Sequence, residues 1–302
     1  MATIYTHKSS NVRKTWALMT GFLVFIIAVG FLFSQAMRSP VILWIAVIFS
    51  IVMNIVSFWF SDKIVLMMTG AREAPDEEFM ELHRVVENLA ITAGLPKPRV
   101  YIVDDPQPNA FATGRNPQNA VVAVTRGLLD RLERSELEGV IAHELSHIGN
   151  RDMLISTVVV VLAGIVAVLS DIFLRMMFWG GRSRDRDSRA GPLFLILALA
   201  AAILAPLAAT LIRLAISRKR EFLADASGVL LTRYPEGLTG ALQKISSYPQ
   251  SMRAASNATA HLFFENPFRE RGGGTNWLVK LFMTHPPVEE RIKALREMGG
   301  GV

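Results

Sequence analysis

The sequence predicts an α+β fold, mostly helical with a small sheet, joined to about four membrane-spanning helices. Three observations carry that expectation. The 302 residues are 51% apolar, more than a soluble domain of this length usually shows. The excess lies in long uncharged runs. Between the runs, short β-rich segments alternate with helical ones, and one helix carries His143-Glu144-Leu145-Ser146-His147.

Residues 16–37 hold no charge, and residues 41–60 break only at Asn54 and two serines. Each reaches the roughly 20 residues that a bilayer requires. Arg38-Ser39-Pro40 alone separates them, so they form a hairpin. The first run reads as a retained span: it is too long for a cleaved signal, and no small-x-small site precedes the second. A third run, residues 153–179, is interrupted by Asp171 and Arg175, which can pair at i,i+4. A fourth, residues 192–212, contains Pro206.

Lys8, Arg13 and Lys14 precede the first run, which places both ends of the hairpin in the cytoplasm. Arg213, Arg218, Lys219 and Arg220 after the fourth run agree with that orientation. The four arginines of residues 182–189 oppose it, because a loop between two spans would lie outside. The absence of cysteine agrees with a reducing compartment and excludes thiol catalysis. No G-x-S-x-G serine motif occurs. The pI near 9.8 follows from the positive flanks of the spans. No basic stripe with interleaved aromatics is present, so nucleic acid is not an expected partner.

Residues 75–94 read as a helix with an acidic first turn and Gly94 as its stop. Strands follow at residues 99–103, 109–114 and 120–124, then a short helix near Leu128. The strand at 109–114 has two readings. It is either an edge that accepts an extended substrate along Asn109, Ala110, Phe111 and Ala112, or an ordinary hairpin. Ser135 and Glu138 form a capping-box pattern at the head of the motif helix. Leu137, Val140 and Ile141 give that helix its apolar stripe.

Residues four apart share a helical face, so His143 and His147 can aim two imidazoles at one ion, with Glu144 beside them. Zinc, one per chain, suits such donors and keeps a position open for water. Its charge lowers the pKa of that water to about 7, and Glu144 is placed to take the proton. A third ligand is still required. Glu221 and Asp225 share a face of the next helical stretch. Glu221 could ligate while Asp225 fixes the tautomer of a ligating histidine, or the two could be a solvated pair balancing the nearby basic cluster. The order of helix, small sheet and metal helix suits a zincin-like metallopeptidase domain.

The chain resembles the HtpX-type membrane metallopeptidases, relatives of the CAAX prenyl peptidases. The resemblance runs over essentially the whole chain. It rests on Pro108-Asn109-Ala110-Phe111-Ala112, the His143–His147 motif with Asp152, Glu221 with Asp225, and Thr284-His285-Pro286-Pro287 followed by Arg291. It implies that Glu221 is the third zinc ligand and Asp225 its supporting partner. It also implies an endopeptidase of the bacterial inner membrane, facing the cytoplasm. Its substrates would be polypeptides, chiefly misfolded or damaged membrane proteins met during stress, and other quality-control proteases would be its partners in the bilayer.

Within that frame, Asp152 orients the metal helix or caps a neighbour. His285 or Arg291 could donate to the oxyanion of the tetrahedral intermediate. Alternatively, Pro287 starts a helix and Arg291 is a structural ion pair. His83 and His261 read as surface or packing residues. The expected organisation is a membrane hairpin at 1–60, a first part of the catalytic domain at 61–152, a second hairpin at 153–214, and a second catalytic part at 215–302 with a flexible loop at 248–276. Two other functions compete. One is a prenyl-protein peptidase, which would need more spans to enclose a chamber. The other is a non-catalytic zinc scaffold, which would need a closed four-ligand site.

Overall fold

A computed structural model describes residues 4–180, 218–256, 258–268 and 286–299. The fourth apolar run, the arginine-rich loop before it and His285 lie outside those residues.

Two apolar helices, α1 (Ile4–Ala36) and α2 (Pro40–Trp59), form the expected hairpin. Pro40 starts α2, where its missing N–H costs nothing. Gly30 of α1 lies directly against Ala46 of α2, an approach that a larger residue would prevent. Helix α3 (Ser61–Thr69) leads to β1 (Arg72–Glu73), α4 (Met80–Thr92), β2 (Arg99–Val103), β3 (Ala110–Thr113), β4 (Val121–Thr125) and the short α5 (Arg126–Leu129). The sheet order is β1-β2-β4-β3, with β2 parallel to β4 and the other pairs antiparallel. This leaves β3 at an edge.

Helix α6 (Arg134–Asn150) follows, then α7 (Asp152–Gly180), α8 (Arg218–Thr232), α9 (Pro235–Ser246) and α10 (Val288–Gly299). Leu82, Val85, Val86 and Leu89 of α4 pack with Val140, Ile141, Leu145 and Ile148 of α6. Val122 and Val124 of β4 and Leu238, Leu242 and Ile245 of α9 complete this core. The i, i+3, i+4 spacing on each helix supplies the buried stripe.

Three described helices are long and apolar enough to cross a membrane: Ser9–Gln35, Pro40–Trp59 and Asp152–Ile172. The third also serves as core. Leu154, Ile155, Val158, Val159 and Leu162 of α7 pack against Met19, Phe22 and Ile26 of α1. Asp171 and Arg175 pair at 2.7 Å, as their spacing anticipates.

The helix expected from residue 75 begins at Met80. The capping box is Glu133 with Glu136, not Ser135 with Glu138. The reason is tertiary: Glu136 is 8% exposed, accepts from the Glu133 amide at 2.8 Å and pairs with Lys244 of α9 at 2.7 Å. That half-buried pairing accompanies a helix start earlier than the local pattern suggests.

Candidate active site

Helix α6 presents His143 and His147 on one face, and α8 brings Glu221 to them from another part of the chain. The two Nε2 atoms are 3.1 Å apart. Glu221 Oε2 lies 3.8 Å from His143 Nε2, and its Oε1 lies 3.7 Å from His147 Nε2. Two nitrogens about 2.05 Å from one tetrahedral ion would be about 3.3 Å apart. The three donors therefore fit a single small cation.

The other ring nitrogens are engaged. His143 Nδ1 lies 2.8 Å from Asp225 Oδ1, and His147 Nδ1 lies 3.1 Å from Asp152 Oδ2. A carboxylate accepts, so each Nδ1 donates and each Nε2 is turned toward the cluster. Helix α8 reaches this position because Gly228 packs on α6 backbone, where a Cβ would stand 3.1 Å from the His143 amide nitrogen. Glu144 is 2% exposed and lines the same cavity.

Burial pushes the His143 imidazole down to about 4, and its hydrogen bond to Asp225 offsets only part of that. Burial also opposes charge on His147, but Asp152 and Glu221 outweigh it and raise the ring to about 9. Burial would raise Asp225. The adjacent Arg291 guanidinium and the bond to His143 instead hold it well below the usual carboxylate range.

Arg291 of α10 is fully buried. It donates to both oxygens of Asp225 and, at 3.2 Å, to the Phe264 carbonyl. Of its two sequence readings, the structure shows the ion pair. His261, read as a surface or packing residue, is 5% exposed and lines the cavity beside His143 and Glu221. No local signal marks it, because it sits in a polar, irregular stretch.

The described part of residues 248–276 buries Met252, Leu262, Phe263 and Phe264. It lies along the edge of β3. The Phe264 amide donates to the Ala110 carbonyl at 2.7 Å. The Asn109 side chain accepts from the Glu265 amide at 3.1 Å and donates to its carbonyl at 2.9 Å. The segment at Asn109, Ala110, Phe111 and Ala112 thus lies at the sheet edge beside the site, and its first half is covered by the chain itself. The remaining cavity, about 40 Å³, admits a few waters and no peptide.

The fold and this cluster define a metallopeptidase built onto membrane helices. Comparison with known proteins narrows the class. Residues 76–299 match Peptidase family M48, and the chain belongs to that family. It is similar to the Protease HtpX homolog of Caldanaerobacter subterraneus subsp. tengcongensis, at 46% identity over 98% of each chain. It is 49% identical to the Pyrococcus abyssi homolog, over 94% of this chain and 95% of that one. Among solved structures, S. mikatae Ste24p shares the fold with a TM-score of 0.50 and 18% identity, covering 97% of this chain and 66% of that one.

Proposed function

We propose that the chain is a zinc endopeptidase in which His143, His147 and Glu221 hold the ion and Glu144 moves the proton. The observation that carries this reading is the convergence of three donor atoms within 4.8 Å of one another, two on α6 and one on α8. Two imidazoles and one carboxylate are the donor set of open zinc sites, whereas structural sites close with a fourth protein ligand. Among the described residues the cluster has three members, and the scaffold reading lacks its fourth.

Bound zinc supplies Lewis acidity, which acidifies a water and polarises the scissile carbonyl. The chain's own groups do the rest. Glu144 accepts the proton from the attacking water and delivers it to the leaving amine. Asp225 and Asp152 keep both rings in the tautomer that presents Nε2. Ala112 sits at the cavity, and its outward backbone groups would pair with an extended substrate once the covering segment gives way.

Membrane proteins are the proposed substrates, cut near the cytoplasmic face of a bacterial inner membrane during quality control. The support is that only Arg151 separates α6 from α7, a helix long and apolar enough to cross a membrane. The positive flanks of α1 support the orientation. The catalytic segments at 61–152 and 215–302 then act as one unit, with α8 and α9 packed on α6.

The test is cleavage of casein by the detergent-purified chain and by Glu144→Gln, each with measured zinc. The expected result is one zinc per chain in both and activity in the wild type alone. Equal activity in Glu144→Gln, or no zinc in either protein, overturns the reading.

A further inference from the structure

Asn11 lies on α1 just ahead of its uncharged run, between Lys8 and Arg13, and is 4% exposed. A buried amide is costly unless its hydrogen bonds are met. Those of Asn11 converge on one place. Its Nδ2 donates to Asp152 Oδ1 at 2.6 Å and to the Asn150 carbonyl at 3.2 Å. These residues flank Arg151, whose left-handed φ of 58° turns the chain from α6 into α7. Asp152 Oδ2, the other oxygen, accepts from His147 Nδ1 at 3.1 Å. Arg220 Nε stands 3.9 Å from Asp152 Oδ1. The Asp152 carboxylate is therefore held from both ends.

We infer that Asn11 is a positioning residue for the metal site. Through Asp152 it fixes the plane of the His147 ring, whose Nε2 faces Glu221. The first membrane helix is then a structural part of the active centre, not its anchor alone. Ordinary helix packing would place apolar atoms at this contact. Instead the molecule spends a buried amide there, 141 residues away in sequence from the carboxylate it holds. The inference rests on the proposed role of His147 as a ligand.

The experiment uses the full chain in detergent. Zinc affinity by chelator competition, unfolding of the metal-free protein, and kcat and KM on casein are compared for wild type, Asn11→Ala and Phe22→Ala. Phe22 is 3% exposed and packs in the same α1–α7 contact without touching Asp152. The expected result for Asn11→Ala is about tenfold weaker zinc binding, in the range of lost supporting contacts, with lower kcat and unchanged KM. Phe22→Ala should lower the unfolding temperature and leave zinc affinity within about twofold, since no contact to the ligands is lost.

In an Asp152→Asn background, Asn11→Ala should have little further effect, because the connection is already cut. If Asn11→Ala fails to fold, Asn11→Leu, closer in volume, takes its place. Wild type that binds no zinc overturns the metal reading and this inference together. Wild-type binding with unaltered affinity in the Asn11 variant overturns this inference alone. So does equal loss of affinity in Phe22→Ala, or full additivity with Asp152→Asn.

Discussion

Arg291 and Asp225 are joined by two parallel hydrogen bonds, Nε to Oδ2 at 2.9 Å and Nη2 to Oδ1 at 2.7 Å, with neither side chain more than 1% exposed. The fork of the guanidinium matches the carboxylate, and such bidentate pairs are the strong ones. The pair also sets the active site. Arg291 keeps Asp225 ionised, Asp225 holds His143 Nδ1, and His143 Nε2 is left facing the cluster.

Removing Arg291 leaves a buried carboxylate without its partner. Arg291→Ala should destabilise the metal-free protein by about 3–5 kcal/mol, the usual cost of breaking a buried pair from one side. Arg291→Lys should fall between, because it restores charge without the fork. Thermal unfolding and zinc affinity should decline together in the same order. A fully stable Arg291→Ala that loses only kcat would instead favour the oxyanion-donor reading.

Gly228 sets the distance between α6 and α8. A Cβ there would stand 3.1 Å from the His143 amide nitrogen and 3.3 Å from the Ala142 carbonyl carbon. Both contacts are backbone in a rigid helix, so the helices must part. Gly228→Val should withdraw Glu221 from the histidines and weaken zinc binding more than it weakens the fold. The cost of such overpacking is about 1–3 kcal/mol. Equilibrium dialysis against zinc, beside the unfolding temperature, separates the two effects. Unchanged zinc affinity would show that α8 tolerates the shift.

Much of this was legible because the signals are local. Long apolar runs mark α1, α2 and α7, and the i,i+4 histidines mark α6. The missed features depend on distant partners. The two-residue β1 exists only because β2 pairs with it. The earlier start of α6 accompanies the pairing of Glu136 with Lys244 across a helix contact. Arg291 is 66 residues from Asp225 in sequence, and nothing near either one announces the other. His261, Phe263 and Phe264 were hidden for the same reason: their burial comes from lying along β3, which composition does not report.

In the metal-free protein a proton should compete with zinc for His147. His147 is raised to about 9 in the folded protein, above about 6.5 for a free histidine. The sign is that of a raised basic group. The proton's contribution to metal-free stability is full below about pH 6.5 and is lost as pH rises through about 9. Zinc needs the Nε2 lone pair, so binding must expel that proton. Affinity should rise about tenfold per pH unit from about 6.5 toward 9 and then level. His143, pushed down to about 4, is already neutral across this range and adds no slope. Calorimetric titration in buffers of different ionisation enthalpy should find about one proton released per zinc at neutral pH. Pairing of zinc uptake with no proton release would contradict the raised pKa of His147.

The sheet edge makes the last prediction. Asn109 directs its backbone carbonyl toward β4, accepting from the Thr125 amide at 2.9 Å. Backbone direction alternates along a strand, so Ala110 and Ala112 direct theirs outward. The outward carbonyl of Ala110 is taken by Phe264 and Ala112 lines the small cavity, so pairing of a substrate strand at Ala112 requires the covering segment to give way. Proline at an edge position costs no ladder bond within the sheet, but it removes the outward N–H. Ala112→Pro should therefore raise KM by up to about tenfold, the value of one lost hydrogen bond, while zinc content and kcat stay near wild type. Asn109→Ala should do the reverse. Without its two bonds to Glu265, the covering segment is held less firmly, so extended substrates should enter more easily and KM should fall. Michaelis curves on a quenched fluorescent peptide distinguish the outcomes. A KM that does not respond to Ala112→Pro would mean that substrate reaches the site without pairing to β3.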